Sequence, residues 1–180
     1  MTEPSPPRIT MVCTGNAARS VMAALLLRTR LDPDSPFAVA SAGTLVIPDQ
    51  PMSVRTRASL ERYGLRDPHH RSRQLSTADV AASSVLLTME PSHQSWMRRR
   101  LPEALPLAGS LRRVVRDLPD APGPTLAERI ASMRLAEHDF EPWEEVVDPG
   151  AGEQGVFDTC IDELSVLIDD LVASLRELPG

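Results

Sequence analysis

The sequence predicts an α/β fold of three layers, with a central, mostly four-stranded parallel sheet flanked by helices on both faces. Three observations carry that expectation. Short, β-rich apolar runs alternate along the chain with longer stretches of helix formers, the order that β-α-β crossovers produce. Those runs, such as Arg8-Ile-Thr-Met-Val-Cys13 and Val85-Leu-Leu-Thr-Met89, are short and mostly apolar, as suits strands covered on both faces. Finally, a chain of 180 residues, 42% of them hydrophobic, can bury about 70% of its unfolded surface without metal or disulfide staples. With aromatics at 3%, aliphatic side chains must fill most of that core.

Arg8–Cys13 reads as a first, buried strand, and Thr14–Ala18 as a turn of small residues. Arg19 to Leu31 follows as a helix that is apolar almost all round and therefore buried. Asp32–Pro36 is a turn and Phe37–Ser41 a second strand, ended by Ala42-Gly43. Ser53–Tyr63 is an amphipathic helix stopped by Gly64. Val85–Met89 supplies the third strand, a helix follows near Ser92–Arg100, and Leu105–Leu107 is a short fourth strand. Pro119–Pro124 is a loop. Thr125–Glu137 reads as a helix, with Thr125 as N-cap and Glu128 completing a capping box. Gln154–Leu178 forms a long last helix. With no internal repeat, residues 1–180 are expected to form one domain, residues 1–7 being flexible.

Composition excludes several chemistries. All 19 basic residues are arginine, so a lysine P-loop nucleotidase, a kinase with its strand lysine and a Schiff-base enzyme are ruled out. Any phosphate must be held by arginine and backbone amides. Residues 1–134 carry 18 Arg against 12 acids, whereas residues 135–180 carry 1 Arg against 13 acids. A net charge of −6 without a long basic run argues against nucleic acid as a partner, and the acidic C-terminal stretch reads as the solvated face of the last helix. Two distant cysteines, Cys13 and Cys160, make neither a metal-ligand spacing nor a disulfide framework, and the four histidines fall in no metal motif. No metal or cofactor is expected. No apolar run approaches the ~20 residues of a membrane span, and Met1–Pro7 does not resemble a signal peptide, so a cytoplasmic, membrane-free protein is expected.

One segment carries chemistry. Cys13-Thr-Gly-Asn-Ala-Ala-Arg19-Ser20 lies between a strand and a helix. A tight loop of small residues entering a helix N-terminus points successive amides into one concavity, and the helix dipole adds positive potential. A cysteine at its mouth gains stabilisation of its thiolate. Arg19 can hold two oxygens of a tetrahedral oxyanion in a fork, while Ser20 can donate to the thiolate. Gly15 and Asn16 suit the left-handed angles that such a cradle needs. Cys160, on the last helix, reads as a buried structural thiol, and the run Arg98-Arg-Arg100 as the end of an exposed helix.

These residues resemble the low-molecular-weight protein tyrosine phosphatase family, whose loop reads C-x-G-N-x-C-R-S. The resemblance continues in Arg19-Ser-Val-Met-Ala23, Val39-Ala-Ser-Ala-Gly-Thr44, His70-Arg-Ser-Arg-Gln-Leu75, Leu86-Leu-Thr-Met89 with His93, and Val147-Asp148-Pro149, in the family's order over nearly the whole chain. It implies a metal-independent phosphatase acting through a phosphocysteine: Cys13 as nucleophile, Arg19 as phosphate clamp and Asp148 as general acid. Thr14, Gly15, Asn16, Ala17, Ala18 and Ser20 would surround the phosphate, with Ser41 and His70 supporting the loop from behind. Asp139, Glu144 and Glu145, nearby rivals of Asp148, read as solvated charges.

The chain also departs from the family pattern. Ala18 replaces the second loop cysteine, so the loop cannot form an internal disulfide, and two cysteines are too few for the relay of the related arsenate reductases. Gly150 and Ala151 follow Asp-Pro where phosphotyrosine enzymes place aromatics, and Ile47 is the expected wall residue after the second strand. The implied substrate is phosphotyrosine on proteins. Phosphoarginine is the alternative, although Ala17 stands where phosphoarginine phosphatases carry threonine, and small phosphomonoesters remain open. A phosphate-binding module without turnover is a further alternative, which the retained Cys, Arg, Ser and Asp count against. A monomer or weak dimer is expected.

Overall fold

The computed structural model describes residues 6–178. Four parallel strands, β1 (Arg8–Cys13), β2 (Ala38–Gly43), β3 (Val85–Thr88) and β4 (Ala108–Ser110), lie in the order β2-β1-β3-β4. Between and after them run α1 (Arg19–Arg30), α2 (Val54–Arg62), α3 (Thr77–Ala82), α4 (Pro91–Arg100), α5 (Leu111–Asp117), α6 (Leu126–Ser132) and the long α7 (Gln154–Arg176). This is the expected α/β architecture. Met1–Ser5, on which most of the expected N-terminal flexibility falls, lie outside the described residues.

The period of a strand separates two cores. Ile9, Met11 and Cys13 of β1, with Val85 and Leu87 of β3, face a cluster built mainly on α1 and α7. Val12 and Leu86 face the opposite way, onto Val80 of α3, Met97 of α4 and Ala104. On α7, Phe157, Ile161, Leu164, Ile168, Leu171, Val172 and Leu175 recur at three- and four-residue steps and are all buried. Asp162, Asp169 and Asp170 of the same helix are exposed, the solvated acidic face that the charge asymmetry predicts. Among the described residues, no helix is long and apolar enough to cross a membrane.

Several elements differ from expectation for identifiable reasons. The expected strand Leu105–Leu107 is a 3-10 turn, Pro102–Leu107, and pairing begins at Ala108 instead. Pro106 has no N–H to give a sheet ladder. The second strand runs on to Gly43, because Ala42 and Gly43 pair with Val12 and Cys13. The helix expected over Thr125–Glu137 does start at the Thr125/Glu128 capping box but ends at Ser132, and Arg134 is left-handed at φ 51°. The last helix ends at Arg176. Two short helices, α3 and α5, were not expected, although Ser76 with Asp79 forms a capping box and Ser110 caps α5.

β1 leads through α1 to β2 on one side, whereas β3 joins it on the other. The carboxyl ends of β1 and β3 therefore flank a topological switch point, where open α/β sheets bind ligands. The end of β2 presses against the loop that follows β1. A Cβ on Gly43 would lie 2.5 Å from the Thr14 carbonyl oxygen and 3.0 Å from the Asn16 nitrogen. Glycine is required here for space, not for φ. We expect Gly43→Ala to destabilise the fold by roughly 1–3 kcal/mol, read as a lower Tm. An unchanged Tm would show that the loop yields freely.

Candidate active site

Cys13 ends β1, and its side chain is buried in the α1/α7 core cluster with Sγ 2.9 Å from Ser20 Oγ. Asn16 Nδ2 donates to that same Ser20 oxygen at 3.1 Å, which leaves the Ser20 hydroxyl proton free for the sulfur. Asn16 is fully buried and left-handed at φ 51°. Its Nδ2 also donates to Ser41 Oγ at 3.0 Å, and its Oδ1 accepts from the Arg73 amide at 3.1 Å. His70 Nε2 donates to the Asn16 carbonyl at 2.8 Å, and Thr56 Oγ1 to the Ala17 carbonyl at 2.9 Å. Ser41 and His70 thus both bond to Asn16 behind the loop.

Gly15 corrects one expectation. Its φ is not positive, and only Asn16 in the loop is left-handed. A Cβ at Gly15 would meet no protein atom within 4 Å, so neither φ nor crowding demands glycine there. Ala18 precedes α1 without a side-chain cap, leaving the first amides of the helix free for an anion.

Arg19 is the first residue of α1, and its side chain is only 2% exposed. A buried guanidinium needs several acceptors, and it has them. Nη1 donates to Glu90 Oε2 at 2.5 Å and to the Val146 carbonyl at 3.2 Å. Nη2 meets Asp148 Oδ2 at 2.8 Å and Thr14 Oγ1 at 3.5 Å. Asp148 is half exposed, and its other oxygen accepts from the Gly150 amide at 3.0 Å, with Gly150 left-handed at φ 52°. Asp148 is therefore at once a turn residue and a partner of the clamp. Cys13, Arg19 and Asp148 line a cavity of about 280 Å³ with Thr14, Gly15, Ala17, Ala18, Ser53, Gly150 and Phe157.

The structure moves two other expectations. Ile47 is not in this wall but 74% exposed, and Ser53, the cap of α2, stands there instead. The buried Phe157 of α7 is an aromatic lining residue that a search after Asp-Pro overlooks. Glu144 is not a solvated charge: it is 1% exposed, with Arg113 Nη2 at 2.5 Å and Ser110 Oγ donating to the same carboxylate. The partners lie more than thirty residues earlier, on β4 and α5, which is why local composition missed them. Glu144 ties the acid-bearing segment to the sheet, while the Val146 amide bonds the Met89 carbonyl at 2.8 Å. Asp139 and Glu145 are exposed, as expected.

Two further residues at the β3 end, Glu90 and His93, were not expected as site groups, although His93 belongs to a stretch of the resemblance. Burial works to raise the Glu90 carboxyl, but its hydrogen bonds with Ser92 and Arg19 outweigh that and hold it below the usual value. Burial, against the raising pull of Glu90 and with the Arg19 charge, pushes His93 down to about 4. Cys160 is a buried thiol pushed by burial up to about 12, consistent with a structural role.

The family model described as "Low molecular weight phosphotyrosine protein phosphatase" matches residues 8–108, more than half of the chain. A relative named protein-arginine-phosphatase, from Geobacillus stearothermophilus, is 29% identical over 95% of this chain and 97% of its own. Among solved structures, the YwlE arginine phosphatase of the same organism superposes with a TM-score of 0.74 at 30% identity, covering 95% of this chain and 94% of that one. A low molecular weight protein tyrosine phosphatase from T. tengcongensis gives a TM-score of 0.71 at 24% identity over 93% and 98% of the two chains, a likeness of fold.

The buried histidine makes stability depend on pH. Folded His93 takes its proton near 4, against 6.5 when unfolded, so between these values the unfolded chain binds more protons. Stability is full above pH ~6.5 and falls as pH drops towards 4, by on the order of 3 kcal/mol, and the depressed Glu90 acts in the same direction. Urea titrations from pH 7 to 4 should show this slope, reduced in His93→Gln. A flat profile would mean that the ring is not held neutral.

Proposed function

The chain belongs to the low molecular weight phosphotyrosine protein phosphatase family, and on that premise we propose a metal-independent protein phosphatase that works through a phosphocysteine on Cys13. One observation supports it above the others: a thiol 2.9 Å from the Ser20 hydroxyl shares one small cavity with the uncapped amides of α1, Arg19 and Asp148.

In this reading the Cys13 sulfur attacks phosphorus in line. The P–S bond forms as the bond to the leaving atom breaks, and Asp148 gives that atom its proton. The loop amides and Arg19 stabilise the charge on the equatorial oxygens. Asp148, now a carboxylate, takes a proton from the water that cleaves the P–S bond, releasing phosphate. Ser20 supports the thiolate both as nucleophile and as leaving group.

For the substrate, the proposal favours phosphoarginine on proteins. Gly150 and Ala151 offer no aromatic flank, Phe157 is buried, and the exposed apolar residues next in sequence to the lining residues Ser53 and Asp148, Val54 and Val147, are aliphatic. The relatives of highest identity cited above carry the arginine phosphatase name. Ala17, in place of the threonine of such enzymes, favours phosphotyrosine as the second reading. The phosphoprotein reading is placed in the cytoplasm and needs no nucleic acid.

Turnover of p-nitrophenyl phosphate at pH 5–7, lost in Cys13→Ser, is the expected result. Phosphate binding without turnover would instead make the chain a binding module. On one preparation, a panel of phosphoarginine, phosphotyrosine peptide and sugar phosphates should rank phosphoarginine first; a preference for phosphotyrosine would reverse the substrate choice. Arg19→Lys should cost on the order of 2–4 kcal/mol in kcat/KM, because a point charge cannot replace the fork. Asp148→Asn should slow poor leaving groups far more than good ones, and an equal loss across leaving groups would point to another acid.

A further inference from the structure

Thr14 follows the nucleophile and lines the cavity, yet the mechanism above gives its side chain no task. Its hydroxyl has one proton to donate and two lone pairs to fill. One lone pair faces His93 Nε2 at 3.1 Å. The roles in that bond are fixed on the far side of the ring, where His93 Nδ1 lies 3.2 Å from the Met89 amide nitrogen. An amide N–H can only donate, so Nδ1 accepts and carries no proton. The neutral ring is therefore protonated on Nε2, and Nε2 donates to Thr14. The Glu90 carboxylate, at 4.0 Å from Nε2, is too far to take that proton. The second lone pair faces Arg19 Nη2, at the long distance of 3.5 Å. Both lone pairs of Thr14 are thus occupied, and among the described residues no group accepts its proton. The direction left for the proton is the cavity.

We propose that the Thr14 hydroxyl is a directed hydrogen-bond donor to a tetrahedral oxyanion held above Cys13, with the fully buried His93 as the positioning residue that sets its direction. This deepens the phosphatase reading and rests on it. A hydroxyl is free to rotate, and its rotor is usually arrested only when a ligand arrives. Here the arrest is built in, from the β3 end through an imidazole to the loop, so the donor is oriented before the anion binds. Burial keeps the ring neutral throughout the working range of the reaction, so the polarity of the chain of hydrogen bonds does not reverse there.

The test uses the full chain with p-nitrophenyl phosphate as substrate and inorganic phosphate as the probe of binding. Thr14→Val keeps the shape and removes the hydroxyl. It should lower kcat/KM about ten- to a hundredfold, chiefly in kcat, and weaken phosphate binding measured by calorimetry. Thr14→Ser should restore both to within about threefold. In a His93→Leu background, Thr14→Val should add little further loss. Should His93→Leu not fold, the ring nitrogen shifts of the wild type decide the same point, with a proton on Nε2 expected. Three results would overturn the proposal: Thr14→Val within twofold of wild type, Thr14→Ser as poor as Thr14→Val, or a ring protonated on Nδ1. A wild type that binds phosphate in a Thr14-dependent way but turns nothing over would sink the phosphatase reading alone.

Discussion

The burial of one guanidinium organises this molecule's functional end. Arg19 heads α1 with its side chain 2% exposed, and a charge taken that far from water costs several kcal/mol unless its partners are close and well aimed. Those four partners come from three places: Glu90 after β3, the Val146 carbonyl and Asp148 from the segment before α7, and Thr14 from the loop itself. None is near Arg19 in sequence except Thr14. Satisfying one buried cation therefore draws together the ends of β1 and β3 and the acid-bearing segment, and the cavity is what remains between them.

Behind the loop, the corresponding constraint is polar and uncharged. Asn16 is the only loop residue in the left-handed region, and its amide reaches Ser20, Ser41 and Arg73 at once. That arrangement holds the Ser20 hydroxyl against the Cys13 sulfur. On the other flank, the Arg113–Glu144 pair fixes the approach of the segment carrying Asp148. Removing one partner of such a buried pair leaves an uncompensated charge, typically a cost of about 3–5 kcal/mol. Glu144 stands two and four residues before Val146 and Asp148, the Arg19 contacts of this segment, so the pair supports that segment without lining the cavity.

What was legible in the sequence was local. The strand, small-residue loop and helix of residues 8–30 announce themselves by pattern, and the cradle follows from them by backbone geometry alone. Asp148 was legible only through its Asp-Pro context, since a turn aspartate and an acid look alike; in the structure it closes a turn onto the Gly150 amide and pairs with Arg19. Glu90, His93 and the pair of Arg113 with Glu144 were not legible as site groups, because the partners that define them lie between 31 and 79 residues away. Ile47 was misplaced because a wall position depends on the path of a loop rather than on its composition. The fourth strand was displaced by one proline that a short apolar run concealed.

The contact between Asp148 and Arg19 Nη2 bears on how readily the cavity empties. Any anion that takes up that nitrogen must first displace a carboxylate already resting on it, so a tethered competitor of fixed local concentration is always at hand. Such a competitor weakens the grip on bound anions of every kind, the released product among them. Looser retention of product is what a catalyst gains from it, at the expense of tight capture.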